Sequence, residues 1–114
     1  MLSRKYSLSK KKQVAEVFQK GKIYFSPFFN IKFLPNNLNH SRFCIIISAK
    51  ISKKAVVRNK LKRRLRAILY HNLSNFSQNY DIIILTKPAA VVADYQQLQE
   101  KIQQFIKKLN SLKV

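Results

Sequence analysis

The chain has 114 residues, of which 23 are Lys or Arg and only 4 are Asp or Glu, so its net charge is +19 and its pI is near 10.5. This length predicts one domain spanning residues 1–114, and 46% hydrophobic residues exclude wholesale disorder. One Gly excludes a Gly-rich phosphate loop, and one Cys excludes both a disulfide framework and a cysteine-based zinc site. Without a signal peptide or an apolar run of ~20 residues, we expect a cytoplasmic protein.

The first half of the chain predicts one helix and two strands. Residues 1–8 should be an irregular lead-in, and Ser9 should cap a helix that ends at Gly21. Residues 28–34 alternate apolar and mixed positions, which is typical of a strand with one buried face. Residues 43–48 are apolar on both faces, which predicts a central strand and makes Cys44 a small buried residue.

The second half predicts a helix, a strand and a closing helix. A basic amphipathic helix should span residues 54–73, followed by a polar loop and a buried strand over residues 80–86 that Pro88 breaks. Asp94 should cap the last helix, whose apolar stripe consists of Tyr95, Leu98, Ile102, Phe105, Ile106, Leu109 and Leu112.

These elements predict an α/β (α+β) two-layer sandwich in the order α-β-β-(β)-α-β-α. The optional strand would be the short segment Lys50–Ser52. A mixed sheet of about four strands, with helices packed on it, buries the apolar faces most economically.

The basic helix carries the strongest functional signal. From Val17 to Tyr80 there are 13 basic residues and no acidic ones, and nine of them lie between Lys50 and Arg66. When this segment is placed on a helix, the side chains on one side are apolar and those in the adjacent rows along the helix are basic. Charges packed this densely repel one another, which predicts a polyanionic partner.

Nucleic acid fits this pattern best, because Lys and Arg at helical spacing can track phosphates. RNA is favoured over DNA: no helix-turn-helix pair or zinc module is visible, and aromatic residues near basic ones suit stacking on single-stranded bases. Two alternatives stay open on composition alone. One is a ribosomal or ribosome-assembly protein, and the other is a cationic protein that binds anionic membranes.

Three separated segments then resemble one family, the bacterial ribonuclease P protein component. Its signature, A-x-x-R-N-x-[IL]-K-R-x-x-R, is similar to Ala55–Arg66. The segment Val17–Gly21 resembles the end of the family's first helix, V/I-F-x-x-G. The segment Asp81–Ala90 resembles the family's last strand and the K-P-A turn that follows it.

The resemblance implies a protein subunit of ribonuclease P that is not itself the catalyst. In this family the RNA subunit cleaves the 5′ leader from precursor tRNA with magnesium ions that it mainly binds itself. The protein binds both that RNA and the leader. Membranes and DNA are not implied partners. The chain offers no paired carboxylates, metal-ligand cluster or nucleophile–base pair of its own, so we expect no catalytic residue and no metal site in the protein.

The resemblance also assigns roles to residues. The RNA-binding signature maps onto Arg58, Asn59, Lys60, Lys62, Arg63 and Arg66, and the leader cleft onto Phe18, Lys32 and Lys50. Two positions depart from the family, because Val14 and Lys32 stand where other members often carry Phe and Tyr. A purely structural role for Phe18, as a core residue of a short helix, is the alternative.

Overall fold

The computed structural model describes residues 4–112, which form a mixed four-stranded sheet with helices on both faces. The strands are β1 (Lys22–Phe25), β2 (Phe29–Pro35), β3 (Arg42–Ile46) and β4 (Tyr80–Thr86). The α-helices are α1 (Lys11–Lys20), α2 (Ala55–His71), α3 (Ala89–Val92) and α4 (Tyr95–Ser111), and short 3-10 turns span Arg4–Tyr6 and Leu73–Asn75. The predicted fold class, a mixed sheet of four strands carrying helices, is confirmed.

The sheet has the order β1-β2-β4-β3. Strand β1 pairs antiparallel with β2, and β2 pairs antiparallel with β4. Strand β3 runs parallel to β4, so α2 is the crossover that connects them. The last strand in the chain therefore lies between two strands that precede it.

The main core lies between one face of the sheet and helices α2 and α4. Because side chains alternate along a strand, Phe29, Ile31 and Phe33 of β2 all point to this face and are buried. The adjacent strand adds Ile82 and Ile84. Helix α4 contributes the predicted stripe, of which Leu98, Ile102, Phe105, Ile106 and Leu109 are buried.

A smaller core lies on the opposite face, under α1. It is formed by the fully buried Val17 of α1, Ile83 of β4 and Leu8 of the N-terminal segment. Half-buried residues, among them Cys44 and Val14, pack around these three. The N-terminal segment is therefore not a loose lead-in, because the Leu8 backbone N–H also donates to the carbonyl oxygen of Phe43 at 2.8 Å. The first three residues of that predicted segment lie outside the described ones.

Two predictions about strands were wrong. The segment Lys50–Ser52 forms a turn, and the additional strand is β1, which precedes β2. Strand β3 is at an edge of the sheet instead of its centre. Both of its faces are nevertheless covered, one by the main core and the other by the smaller core, which explains its apolar sequence.

Helix ends agree with the sequence in part. Ser9 is not the cap of α1, because the N-cap is Lys10 and no side chain caps the helix there. Asp94 does cap α4, in a capping box with Gln97. Gly21 ends α1 at a negative φ of −74°. A Cβ at position 21 would lie 2.4 Å from the carbonyl oxygen of Val17, so glycine is needed here for close packing.

A partly buried ion pair joins the beginnings of β3 and β4. The Arg42 guanidinium donates to both carboxylate oxygens of Asp81, from Nε at 2.8 Å and from Nη2 at 2.6 Å. Asn36 Nδ2 donates to the same carboxylate at 2.8 Å. The hydrogen bonds with Asp81 raise the pKa of Arg42, and partial burial opposes this effect. A charged residue is tolerated at position 81 of this largely apolar strand because its charge is paired.

Candidate RNA interface

Helix α2 exposes its basic side because its apolar side is fixed in the main core. Leu61, Leu65, Ile68 and Leu69 are buried under the sheet and α4. The remaining rows of the helix consequently face outward, and Asn59, Lys60, Arg63 and Arg66 are exposed. The amphipathic pattern predicted from the sequence is therefore the pattern in the structure.

Arg58 differs from the other predicted RNA-binding residues. It is half-buried, and its Nη1 donates to the carbonyl oxygen of Ser52 at 2.7 Å. This bond connects the first turn of α2 to the turn that precedes it, where the Lys54 backbone N–H also donates to Ser52 Oγ. Arg58 thus has a structural role that the sequence did not reveal.

Four of the predicted residues line one groove. Asn59, Lys62, Arg63 and Arg66 surround it together with the exposed Val56. Lys62 and Arg66 also border a second open groove, about 470 Å³ in volume. Apolar residues such as Val14 and Cys44 line this second groove, and the N-terminal segment adds Arg4 and Tyr6. Lys60 lines neither groove.

The positive charge of α2 is not neutralised by the protein. Within residues 4–112, the Arg42–Asp81 pair is the one salt bridge, and it is distant in sequence from α2. The other acidic residues are Glu16 on α1, Asp94 at the cap of α4 and Glu100 on α4. The exposed cations of α2 can therefore bind an external polyanion without losing an internal partner.

Phe18 and Lys32 lie together at the end of α1. Phe18 is 39% exposed, whereas its neighbour Val17 is fully buried and anchors the helix to the sheet. Lys32 Nζ donates to the carbonyl oxygen of Phe18 at 2.9 Å and lies 5.8 Å from the centre of the Phe18 ring. An exposed aromatic ring beside an ammonium group can stack on a base and attract its phosphate.

The third residue predicted for the leader cleft lies in a different element. Lys50 is exposed in the turn that follows β3. No hydrogen bond, ion pair or cation–π contact among the described residues joins it to Phe18 or Lys32. The structure brings Phe18 and Lys32 together but does not group Lys50 with them.

Sequence reasoning missed the exposed apolar residues of β1. Ile23 and Phe25 are 41% and 68% exposed. They pair with Lys32 and Asn30 of β2, so they lie on the face of the sheet that carries α1. The signal in the sequence was weak, because Lys22–Phe25 is only four residues long and Tyr24 breaks a strict alternation of polar and apolar residues.

The donor groups of the protein do not form a metal site in the part of the chain that is described. No three His, Cys, Asp or Glu side chains there are close enough to hold an ion. Burial raises the pKa of the Cys44 thiol, and the nearby Lys62 only partly offsets this effect.

Of the helices between residues 4 and 112, none is both long and apolar enough to span a bilayer.

The fold is that of ribonuclease P proteins with known structures. A variant of the Staphylococcus aureus protein superposes with a TM-score of 0.85 at 26% identity, covering 94% of this chain and 90% of that one. The Thermotoga maritima protein gives a TM-score of 0.81 at 26% identity, with 90% and 96% covered.

Sequence comparison identifies the family. The profile described as Ribonuclease P matches residues 2–110. The ribonuclease P protein component of a Cyanothece species is 34% identical, with 93% of each chain covered. That of Phytoplasma australiense is also 34% identical, with 97% of this chain and 96% of the relative covered. The chain belongs to the bacterial ribonuclease P protein family, which confirms the resemblance seen in the sequence.

Proposed function

We propose that this chain is the protein subunit of a bacterial ribonuclease P. It binds the catalytic RNA subunit and the 5′ leader of precursor tRNA, and it assists endonucleolytic removal of the leader in the cytoplasm. The observation that carries this proposal is the groove on α2, where Asn59, Lys62, Arg63 and Arg66 meet without an acidic neighbour. Family membership supports it.

The RNA subunit performs the chemistry. Magnesium chemistry requires clustered oxygen ligands, and the four acidic residues of this chain are dispersed along it. The donor set does not fit a protein-held magnesium ion. We therefore assign the magnesium ions to the RNA subunit and no catalytic step to a protein side chain.

Helix α2 binds the RNA subunit through its exposed side. Lys60, Lys62, Arg63 and Arg66 contact phosphates, and the Asn59 amide bonds to a base edge or a ribose hydroxyl. Arg58 acts mainly by holding the turn before α2, as its bond to Ser52 supports. DNA and membranes are not partners.

The leader binds beside α1. A base stacks on the exposed part of Phe18, and a leader phosphate lies near Lys32. Lys50 adds long-range attraction for the leader from the turn after β3. Since Val14 and Lys32 replace the aromatic residues common in the family, stacking is weaker here and phosphate contact is stronger.

Reconstitution tests the proposal. The protein is mixed with the ribonuclease P RNA of its host and a precursor tRNA at magnesium concentrations where the RNA alone is slow. We expect leader removal only when both subunits are present. Cleavage by RNA-free protein, or no acceleration of the RNA by the protein, would contradict the proposal. Co-sedimentation with ribosomal subunits would instead favour a ribosomal role.

Phe18→Ala tests the leader site separately. Loss of one stacked base should weaken binding of precursor tRNA to the holoenzyme by about 1–3 kcal/mol, while binding of mature tRNA, which has no leader, should be unchanged. A substitution of Lys32 by Ala should show the same selectivity, more strongly at low salt. If Phe18→Ala lost equal affinity for precursor and mature tRNA, or if its melting temperature fell strongly, Phe18 would be a structural residue.

A further inference from the structure

A small pocket lies at the end of the sheet where β2 ends and where β3 and β4 begin. Its volume is about 230 Å³. The N-terminal segment, the β2–β3 loop and the residues that precede β4 surround it, and it shares no lining residue with the Phe18–Lys32 site. We refer to it as the end pocket and define it by five side chains, namely Tyr6, Asn39, His40, Ser74 and Asn79.

Two rings form part of the wall of the end pocket. The rings of Tyr6 and His40 meet edge to face, with their centres 5.6 Å apart and their planes at 89°. Both residues are half-buried, so part of each side chain faces the pocket. Unpaired RNA bases stack on Tyr and His side chains. The wall therefore offers a stacking surface to one planar base, whereas the pocket is too small for a helix or strand of a protein partner.

Polar groups of the end pocket can bond to the edge of such a base. Asn79 Nδ2 donates to the Leu38 carbonyl oxygen at 3.0 Å, which leaves the side-chain oxygen of Asn79 as an acceptor. Ser74 is exposed and adds a hydroxyl that can donate or accept. Because base edges carry both donors and acceptors, these two groups complement them.

The β2–β3 loop holds the end pocket in shape. Asn36 Oδ1 accepts a hydrogen bond from the Leu38 backbone N–H at 3.0 Å, and Asn36 Nδ2 donates to the Asp81 carboxylate at 2.8 Å. The Asn36 backbone N–H donates to the Asn79 carbonyl oxygen at 3.1 Å. The loop that carries His40 is thus fixed to β4 and to the residue before it. A ligand of the pocket would pay little for ordering this loop.

The end pocket continues the basic surface of α2. Tyr6 lines both the end pocket and the second groove, and Lys62 and Arg66 line both the second groove and the groove on α2. Arg4 also lines the second groove, and the Lys5 ammonium lies 5.0 Å from the centre of the Tyr6 ring. Shared residues thus join the three cavities into one track with cations along it. An RNA strand whose phosphates bind α2 can follow this track to the end pocket.

We propose that the end pocket binds one unstacked nucleotide of the RNA subunit. The base stacks on Tyr6 and His40, and its edge bonds to Asn79 and Ser74. Lys5 contacts a phosphate beside it. This inference rests on the proposed function, and it extends the contact with the RNA subunit beyond α2. Because no leader nucleotide is involved, the pocket should be occupied before precursor tRNA binds.

The test measures the affinity of the protein for the RNA subunit without precursor tRNA, at several KCl concentrations. His40→Ala and Tyr6→Leu should each weaken binding about tenfold, because a stacking surface for one base is lost. The loss should be the same at low and high salt, since stacking, unlike the phosphate contact of Arg66, releases no counterions.

His71→Ala is the matched control. The His71 ring meets the Tyr70 ring edge to face with the same distance of 5.6 Å between centres, and His71 is exposed. It lines neither the end pocket nor the two grooves. This variant should bind the RNA subunit as tightly as the wild type.

Ser74→Leu separates binding from folding. Leucine at this exposed position fills part of the end pocket and leaves the contact between Tyr6 and His40 in place. We expect the melting temperature of the free protein to be unchanged and the affinity for the RNA subunit to fall as it does for His40→Ala. Full affinity of Ser74→Leu would show that no base enters the pocket and would overturn the inference.

Reagents that modify unpaired bases identify the nucleotide. The wild-type protein should protect one base of the RNA subunit that His40→Ala leaves reactive. An RNA subunit that lacks this base should bind the wild type about tenfold more weakly than the intact RNA does. It should bind His40→Ala as tightly as the intact RNA does. If no base shows this pattern, the inference is wrong.

The outcomes distinguish this inference from the proposed function. If the wild-type protein does not bind the RNA subunit, both are wrong. If the wild type binds it but His40→Ala and Tyr6→Leu bind equally tightly, only the end pocket is refuted. If their losses shrink at high salt, the pocket holds a phosphate instead of a base, and the inference is also refuted.

Discussion

Replacing Arg66 by Ala should weaken binding to the RNA subunit without affecting the fold. Arg66 is exposed and lines both the groove on α2 and the second groove that α2 borders. Each phosphate contact contributes about 0.7–0.9 to the slope of log affinity against log salt. Over a fourfold rise in salt, from about 50 to 200 mM, the ratio of wild-type to variant affinity should fall about threefold. The unfolding free energy should change by less than about 0.5 kcal/mol.

The same substitution at Arg58 should behave differently. Arg58→Ala removes the bond to the Ser52 carbonyl oxygen. A half-buried hydrogen bond from a charged donor contributes about 1–2 kcal/mol, so the melting temperature should fall by several degrees. Its effect on RNA affinity should persist at high salt, because part of the loss comes from disorder of the turn before α2.

Both variants are measured by titrating labelled RNA subunit at several KCl concentrations with magnesium fixed, and by thermal unfolding of the free protein. Lys107→Ala is the control, since Lys107 is exposed on α4, away from the α2 grooves. If the slope of log affinity against log salt were the same for Arg66→Ala as for the wild type, the basic side of α2 would face solvent without contacting RNA phosphates. An unchanged melting temperature for Arg58→Ala would show that the Ser52 bond does not stabilise the fold.

Three further predictions concern the fold. Gly21→Ala should lower stability by about 1–3 kcal/mol in urea unfolding, because a Cβ would collide with the Val17 carbonyl oxygen; a stabilised variant would contradict this packing. Arg42→Met should lower the free energy of unfolding by about 3 kcal/mol, because the buried Asp81 carboxylate loses its cationic partner, and adding Asp81→Asn should recover part of the loss. Because burial raises the pKa of the Cys44 thiol, its thiolate fraction is smaller in the native protein, so alkylation at pH 8 should be slower there than in the urea-unfolded protein; equal rates would refute this.

Most of the sheet and both long helices followed from hydrophobic periodicity. Strand β2 and the stripes of α2 and α4 have apolar spacings that only one secondary structure satisfies, whereas β4 is a short continuous apolar run that Pro88 follows. Strand β3 was placed centrally because a strand covered on both faces has the same sequence pattern as a central one. The cover on its second face comes from Leu8 and α1, which are remote in sequence.

The residues of the candidate site could be predicted only where they all lie on one secondary-structure element. The residues of α2 were predicted together because they lie on consecutive turns of one helix. The neighbours of β1 across the sheet could not be predicted, since they come from other strands and their register depends on pairings over up to about sixty residues. The structural role of Arg58 was hidden for a similar reason, because a loop conformation brings Ser52 to it.

The position of β4 has a consequence for biosynthesis. This strand pairs with both β2 and β3, yet it is made after them and after α2. Until residue 86 has left the ribosome, β3 lacks the strand with which it pairs, and the apolar side of α2 can cover only the β1–β2 hairpin. We therefore expect the nascent chain to expose the basic segment of α2 to the surrounding ribosomal RNA before the sheet is complete. Non-local pairing of this kind slows folding, so we expect premature capture by RNA to compete with completion of the sheet.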